Sequence, residues 1–242
     1  MSEYHDIFIR RGLSYHAAMC RYPQARNSEF THLFSKIDFS TVKSVADIPA
    51  GGGYLKPFLP ADCTLDYFEP CDTFQSSNSK TFIDLEQPDL TDNAYDLIVN
   101  LAAIHHIKNK QQFISALFNA LKPQGYLCIA DVVQDSAIAY FLDNIAGKYN
   151  GTGHQGDYLT NQTISTINFS SKYTLLENKI KNCAWAFETE EFLVDFCRLL
   201  FGIKTISDSD LLTALNEKIG VDYKNNKVYL RWELIYIALQ KI

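Results

Sequence analysis

The chain predicts an open α/β sheet whose strands run mostly parallel, and three observations carry that reading. Short apolar or β-branched runs alternate with helical-period segments from Val42 to Lys148, the pattern of successive β-α-β crossovers. The run Val42 to Ile48 passes straight into Pro49-Ala50-Gly51-Gly52-Gly53, a glycine cluster that lets backbone approach a ligand closely. Finally, 242 residues at 47% hydrophobic content suit one continuous core with additions better than two full domains.

Taken in order, Tyr4 to Lys36 has apolar positions at helical spacing, with Pro23 dividing two helical pieces. Strands are expected at Val42 to Ile48, Cys63 to Phe68, Lys80 to Ile83, Tyr95 to Asn100 and Tyr126 to Asp131. Helices are expected at Tyr54 to Leu59, Lys110 to Leu121 and Ser136 to Lys148. A loop rich in Gly, Asn and Thr, Asn150 to Asn161, interrupts the alternation. Helix-like runs follow at Glu188 to Leu200 and Asp208 to Ile219, with strand candidates in part of Tyr173 to Phe187 and at Val228 to Gln240. The last of these is placed as an antiparallel member completing the sheet.

Charge and cysteine usage narrow the function classes. A net charge of −6, with no Lys/Arg run, argues against nucleic acid, which demands a basic face. No apolar segment approaches the length of a membrane span, and Met1 to Arg11 has no apolar leader core, so a cytoplasmic protein without a membrane partner is expected. The six cysteines form no C-x-x-C pair, which indicates neither a zinc site nor a disulfide framework. Adjacent His105 and His106 cannot both face one ion from a regular strand or helix, and no metal is expected. Oligomeric state is left open.

The glycine turn then asks which nucleoside it serves. A dinucleotide fingerprint wants a third glycine where Lys56 stands. A mononucleoside needs only the tight turn and an acid on the next strand for the ribose hydroxyls, and Glu69 stands there. With V-A-D-I-P-A-G-G-G-Y-L, L-D-Y-F-E-P, F-I-D-L-E, Y-D-L-I-V-N-L-A-A-I-H-H and L-K-P-Q-G-Y-L-C-I-A-D in this order, the chain resembles the class I S-adenosylmethionine-dependent methyltransferases over Val42 to Val133. Pro49 replaces the family's usual first glycine, which implies altered local turn geometry.

The resemblance implies a Rossmann-like seven-stranded sheet with an antiparallel last strand and helices on both faces. It implies one domain: a helical lid over residues 1–40, a cofactor-binding core over 41–135, and acceptor-side segments with the end of the sheet over 136–242. S-adenosylmethionine is the implied cofactor and a small molecule the implied acceptor. Asp47 is assigned to the methionyl amine, the backbone of Ala50, Gly51 and Gly53 to flanking the cofactor, and Glu69 to the ribose. Pro70 would lie against adenine, Asp84 and Leu85 would read the adenine edge, and Asn100 and Leu101 would supply carbonyls at the methionyl end. For each acid a plain turn or surface role is the alternative.

Acceptor-side candidates lie outside that core. Tyr15, His16 and Arg26 belong to an N-terminal piece that reads equally as lid or as packing, Arg26 being a candidate partner for the methionyl carboxylate. In the loop G-T-G-H-Q-G-D-Y-L, His154 is a candidate general base and Tyr158 a candidate catalytic neighbour; a solvated loop histidine is the alternative. Trp185 and the aromatic residues around Glu188 to Leu200 either line an apolar acceptor cavity or pack on the sheet. Two rival functions share these residues: a non-catalytic S-adenosylmethionine-binding or regulatory protein, and an NAD-dependent oxidoreductase.

Overall fold

A computed structural model describes residues 3–75, 77–160, 163 and 172–242; Asn161, the last residue of the expected Asn150 to Asn161 loop, lies outside them. Seven strands form one sheet: β1 (Ser44–Asp47), β2 (Thr64–Glu69), β3 (Thr81–Phe82), β4 (Tyr95–Leu101), β5 (Leu121–Asp131), β6 (Tyr173–Asn182) and β10 (Glu233–Lys241), in the order β3-β2-β1-β4-β5-β10-β6. β3, β2, β1, β4 and β5 pair in parallel, and β10 is antiparallel to both its neighbours. The expected sheet, with its antiparallel closing member, is therefore present. Leu97, Ile98 and Val99 of β4 are fully buried, which is why that strand reads as a continuous apolar run instead of alternating.

Helices α1 (Glu3–Arg21) and α2 (Asn27–Leu33) form the N-terminal lid, divided at Pro23 as expected, and α3 (Lys110–Ala120) crosses between β4 and β5. The Asn109 side chain starts α3 by accepting from the Gln112 N–H, an N-cap that satisfies one orphan donor. After β5, α4 (Ala137–Phe141) runs on through a π-helical stretch, Leu142–Ala146, to Gly147–Tyr149. α5 (Glu190–Phe201) and α6 (Asp208–Lys218) follow. Among the described residues no helix is long and apolar enough to cross a membrane.

Two local expectations fail for physical reasons. Tyr54 to Leu59 is not a helix but a single 3-10 turn, Lys56–Phe58. Pro57 and Pro60 remove N–H donors and bias the residues before them away from helical backbone. Val228 to Gln240 is two strands, β9 (Lys227–Leu230) and β10, because the chain turns tightly where Trp232 N–H donates to Leu230 C=O at 2.7 Å. Tyr173 to Phe187 likewise divides into β6 and β7 (Trp185–Phe187). β7, β9 and β8 (Val221–Lys224) form a second, three-stranded antiparallel sheet that the strand pattern does not foretell.

The lid is fastened by buried polar contacts. Arg11 of α1 donates to Leu200 C=O at 2.9 Å and Ser14 to Leu199 C=O at 2.6 Å, satisfying carbonyls in the last turn of α5. Arg26 and Glu29 form a buried pair, with guanidinium Nε and Nη2 at 2.9 and 2.5 Å from Glu29 Oε2. Trp185 Nε1–H donates to the other Glu29 oxygen, and Arg26 Nη1 donates to the Tyr15 hydroxyl. All of Glu29 is out of solvent, so truncating it strands a buried guanidinium and a buried indole N–H. Glu29→Ala is expected to lower unfolding free energy by about 3–5 kcal/mol in denaturant titration, and Glu29→Gln, which keeps two acceptor lone pairs, by less.

Candidate cofactor cleft and histidine-lined cavity

The glycine turn leaves β1 through a cis Ile48–Pro49 bond, with Gly51 at φ 55° and Gly53 at φ 79°. Those values are left-handed and favour glycine. At Gly53 a Cβ would also fall 2.3 Å from Asn78 Nδ2 and 3.0 Å from the Tyr67 ring. Asn100 Nδ2 donates to Ile48 C=O at 2.7 Å, so β4 holds the turn from beneath. The cleft above, with about 530 Å³ of empty space, is lined by Asp47, Ala50, Gly51, Leu101, Arg26 and Tyr15, with Tyr4, Phe8 and Phe74 closing it.

Two buried carboxyl groups stand at the ends of β1 and β2. Glu69 Oε2 accepts from Gly51 N–H at 2.7 Å and from the Tyr4 hydroxyl at 3.2 Å. Burial raises its pKa to about 7 against the opposing N–H donors. Burial, and then the charge of Glu69, push Asp47 well above the usual carboxylate range. Beside them the buried Asn100 Oδ1 has no hydrogen-bond partner. Two acids and an orphaned acceptor around one cleft fit a ligand that brings an ammonium group and a vicinal diol, as S-adenosylmethionine does.

A second cavity, with about 600 Å³ of empty space, adjoins the first and shares Phe8, Tyr15, Arg26 and Ala102 with it. Ala102 holds left-handed backbone at φ 55° where the chain leaves β4. Trp185, Phe201 and Trp232 stack along one wall, with centroids 4.0 Å apart for the tryptophans and 5.9 Å for Phe201 and Trp232. Opposite them lie His105, His106 and His154. His105 Nδ1 is 2.6 Å from Asp131 Oδ1, and its backbone N–H donates to Asp131 Oδ2. His154 Nδ1 is 2.7 Å from Asp143 Oδ1, which also accepts from the Tyr158 hydroxyl at 2.7 Å and from Gly156 N–H at 3.1 Å. Burial, reinforced by neighbouring His105, lowers His154 to about 4 and His106 well below the usual imidazole range.

Several sequence candidates therefore converge and others do not. Asp47, Ala50, Gly51, Leu101, Arg26 and Tyr15 line the first cleft, and Trp185 and His154 line the second cavity. His154 is not a solvated loop residue, since its side chain is 6% exposed. Glu69 and Asn100 are buried and line neither cavity; each bonds the turn itself, at Gly51 N–H and Ile48 C=O. Arg26 is already paired to Glu29. Tyr158 is buried against Asp143 and lines neither cavity, which makes it a positioning residue for His154. His16 instead bonds the Tyr54 hydroxyl at 2.9 Å. Asp84 is exposed and caps its own turn through Glu86 N–H at 2.9 Å, Leu85 and Pro70 are buried, and Gly53 packs on Asn78; none of these four lines either cavity.

The sequence reading missed the partnership of His105 with Asp131 and of His154 with Asp143. Asp131 ends β5 while His105 follows β4, its parallel neighbour, so adjacency of strand ends was a usable signal. Asp143 had none, because its aim comes from the π-helical stretch. The adjacent histidines do converge. They lie on a 3-10 turn, Ile104–His106, and not on the regular strand or helix that the expectation of no metal assumed.

Residues 19–175, well over half the chain, match the family described as methyltransferase domain. A curated ubiquinone biosynthesis O-methyltransferase of Rickettsia felis is 28% identical over 120 residues, 43% of this chain and 47% of that relative. The chain thus spans about half the length of this curated relative. Among solved structures, a Bacillus halodurans protein assigned as a methyltransferase superposes with a TM-score of 0.58 at 16% identity, over 88% of this chain and 98% of its own. The cyclase SpnF does so with a TM-score of 0.51 at 11% identity, over 88% of this chain and 79% of its own. At such identities the likeness is one of fold.

Glu69→Ala is expected to weaken binding of S-adenosylhomocysteine by about 1–3 kcal/mol, or roughly 5- to 150-fold, in calorimetry, with Asp84→Ala unchanged. Unaltered affinity in the Glu69 variant would remove the ribose role. A pH series checks the same group independently. Its folded pKa near 7 lies above the ordinary carboxyl range, so the charged acceptor forms only as pH rises through that value. Affinity should therefore climb from about pH 6 to about pH 8 and then level.

Proposed function

This chain belongs to the methyltransferase-domain family and takes its methyl group from S-adenosylmethionine, and from that premise we propose that it methylates an oxygen atom on a small, largely apolar acceptor. One observation carries the reading: the second cavity opens off the cofactor cleft and ends on three histidines, two of them backed by carboxylates. A recess walled by buried side chains such as Trp185, Leu234 and His106 suits a metabolite and not a polymer. Its stacked aromatic wall favours a flat or apolar body, and the curated relative named for O-methylation supports an oxygen acceptor. The acidic balance of the chain continues to weigh against nucleic acid.

The reaction asks little bond chemistry of the protein. The acceptor oxygen attacks the methyl carbon in line as the carbon–sulfur bond breaks, the sulfonium becomes a neutral thioether, and the hydroxyl proton must leave the acceptor. Alignment across the wall shared by the two cavities supplies most of the acceleration. Activation of the hydroxyl falls to the histidine cluster. Asp131 and Asp143 hold the Nδ1 side of His105 and His154, so each presents Nε2 away from its carboxylate.

Transfer of labelled methyl from S-adenosylmethionine to a panel of hydroxylated aromatic and prenyl-like compounds tests the proposal. His105→Ala is expected to lower kcat about 10²- to 10⁴-fold while leaving S-adenosylhomocysteine affinity within about twofold. Labelling confined to amine or carbon acceptors, or wild-type turnover in the variant, would overturn it.

A further inference from the structure

Three imidazoles face one another at the end of the second cavity. A ring nitrogen from each of His105, His106 and His154 lies within 4.8 Å of one from each of the others, the most convergent set of ligand-type side chains among the described residues. Packing alone does not explain the arrangement. His106 is 5% exposed, yet its Nδ1 makes no hydrogen bond; the nearest carboxylate oxygen, Glu3 Oε1, is 3.8 Å away. A buried ring nitrogen left without a partner costs about 1–3 kcal/mol, and the rings of His105 and His154, tilted and edge-on to His106, give its Nδ1 no hydrogen bond in return. Asn150 Nδ2, on the wall of the same cavity, is likewise buried and unbonded.

The surroundings are those of a metal centre. Ligating histidines in proteins donate their second ring N–H to a carboxylate, which fixes the tautomer and raises ligand basicity. Asp131 does this for His105 at 2.6 Å and Asp143 for His154 at 2.7 Å. Each acid is itself held, Asp131 by the N–H groups of His105 and Val132 and Asp143 by Tyr158 and Gly156. Tetrahedral coordination at about 2.0–2.1 Å places ligand nitrogens about 3.4 Å apart, so the rings need draw in by no more than about 1.4 Å. Three protein nitrogens leave one position open toward the cavity.

We propose that His105, His106 and His154 bind a divalent transition-metal ion, Zn²⁺ or a similar borderline ion, with its open position facing the acceptor cavity. Three imidazoles without thiolate or carboxylate in the first sphere suit that class over Mg²⁺ or Ca²⁺, which take oxygen. Whether the ion binds is independent of the function proposed above; what it does there rests on that reading. In that setting it activates the acceptor hydroxyl as a Lewis acid, lowering its pKa so that the proton leaves to solvent before the oxygen attacks.

The test uses the full chain, stripped with chelator and titrated with Co²⁺. One ion per chain is expected, with the visible absorption of a low-coordinate nitrogen site. Asp131→Asn should weaken binding ten- to hundredfold, and His106→Ala at least a hundredfold, with circular dichroism confirming that both variants fold. Should His106→Ala not fold, the wild-type stoichiometry and Asp131→Asn decide. The exposed Cys20 Sγ sits 3.3 Å from His16 Nε2, so Cys20→Ser reports on surface binding and is expected to change nothing. Absence of stoichiometric uptake, uptake that survives His106→Ala, or uptake lost in Cys20→Ser overturns the site. Cobalt bound without transfer to any hydroxylated acceptor overturns the function and supports the site. Full transfer by metal-free protein that takes up no cobalt does the reverse.

Discussion

Burial of the parallel strands on both faces is the constraint from which the rest of this molecule follows. Val45 and Ala46 of β1, Leu97 to Val99 of β4 and Leu127 to Ala130 of β5 are wholly out of solvent. No polar side chain can leave those strands except where they end. Asp47 closes β1, Glu69 closes β2, Asn100 stands one residue before the end of β4 and Asp131 closes β5. All four are buried. These four polar groups are thereby collected along one edge, the carboxyl ends, where an open parallel sheet binds its ligands. The two cavities are the two halves of that edge, divided at the left-handed Ala102 between β4 and the histidine turn.

The same constraint explains what the sequence made legible. Strand-terminal acids beside glycine are visible as residue types at spacings, and Asp47 and Glu69, singled out on that ground, are buried at the ends of β1 and β2. Asp84 was assigned on the same logic, but β3 is two exposed residues long, and its end commands no buried site. The lid was legible as helical period and Pro23, whereas its fastening was not. Arg26 looks like a spare cation for a carboxylate ligand, and only folding shows it spent on Glu29, three residues on. Partners far apart in sequence were the hardest. His105 and Asp131 meet because β4 and β5 are adjacent, and His154 meets Asp143 because a π-helical stretch re-aims one turn. No local pattern encodes either.

The lid is part of both cavities and not merely a cover. Tyr4 from its first turn bonds Glu69, Phe8 and Tyr15 line both spaces, and Arg11 reaches across to α5. Because Tyr4 donates to the oxygen of Glu69 that also takes Gly51 N–H, a ribose hydroxyl arriving at this acid must share or displace the phenol. If Glu69 holds the ribose, cofactor binding and the position of α1 are coupled by a single acceptor, and α1 also lines the second cavity through Phe8, Arg11 and Tyr15. Loading the donor first would set the walls that the acceptor meets.

Electrostatics separates the two cavities as clearly as their walls do. On the cofactor side Asp47 and Glu69 are raised by burial, and the buried cation there, Arg26, is paired to Glu29 instead. Across Ala102 the groups lining the cavity are imidazoles, two of them backed by Asp131 and Asp143, and Arg11, whose pKa burial lowers to about 10. A sulfonium with its ammonium group is drawn to the first environment and an acceptor losing a proton to the second. With the hydroxyl acceptor proposed above, charge would move the same way during transfer, since sulfur would give up its positive charge on the acidic side as oxygen lost negative character beside the basic one. A preorganised field of that polarity favours bringing the two reactants together more than it favours the transition state, in which both charges are fading. The rate advantage must then come chiefly from how closely the shared wall aligns oxygen, carbon and sulfur, which returns the burden to the packing of Phe8, Tyr15 and the Arg26–Glu29 pair behind them.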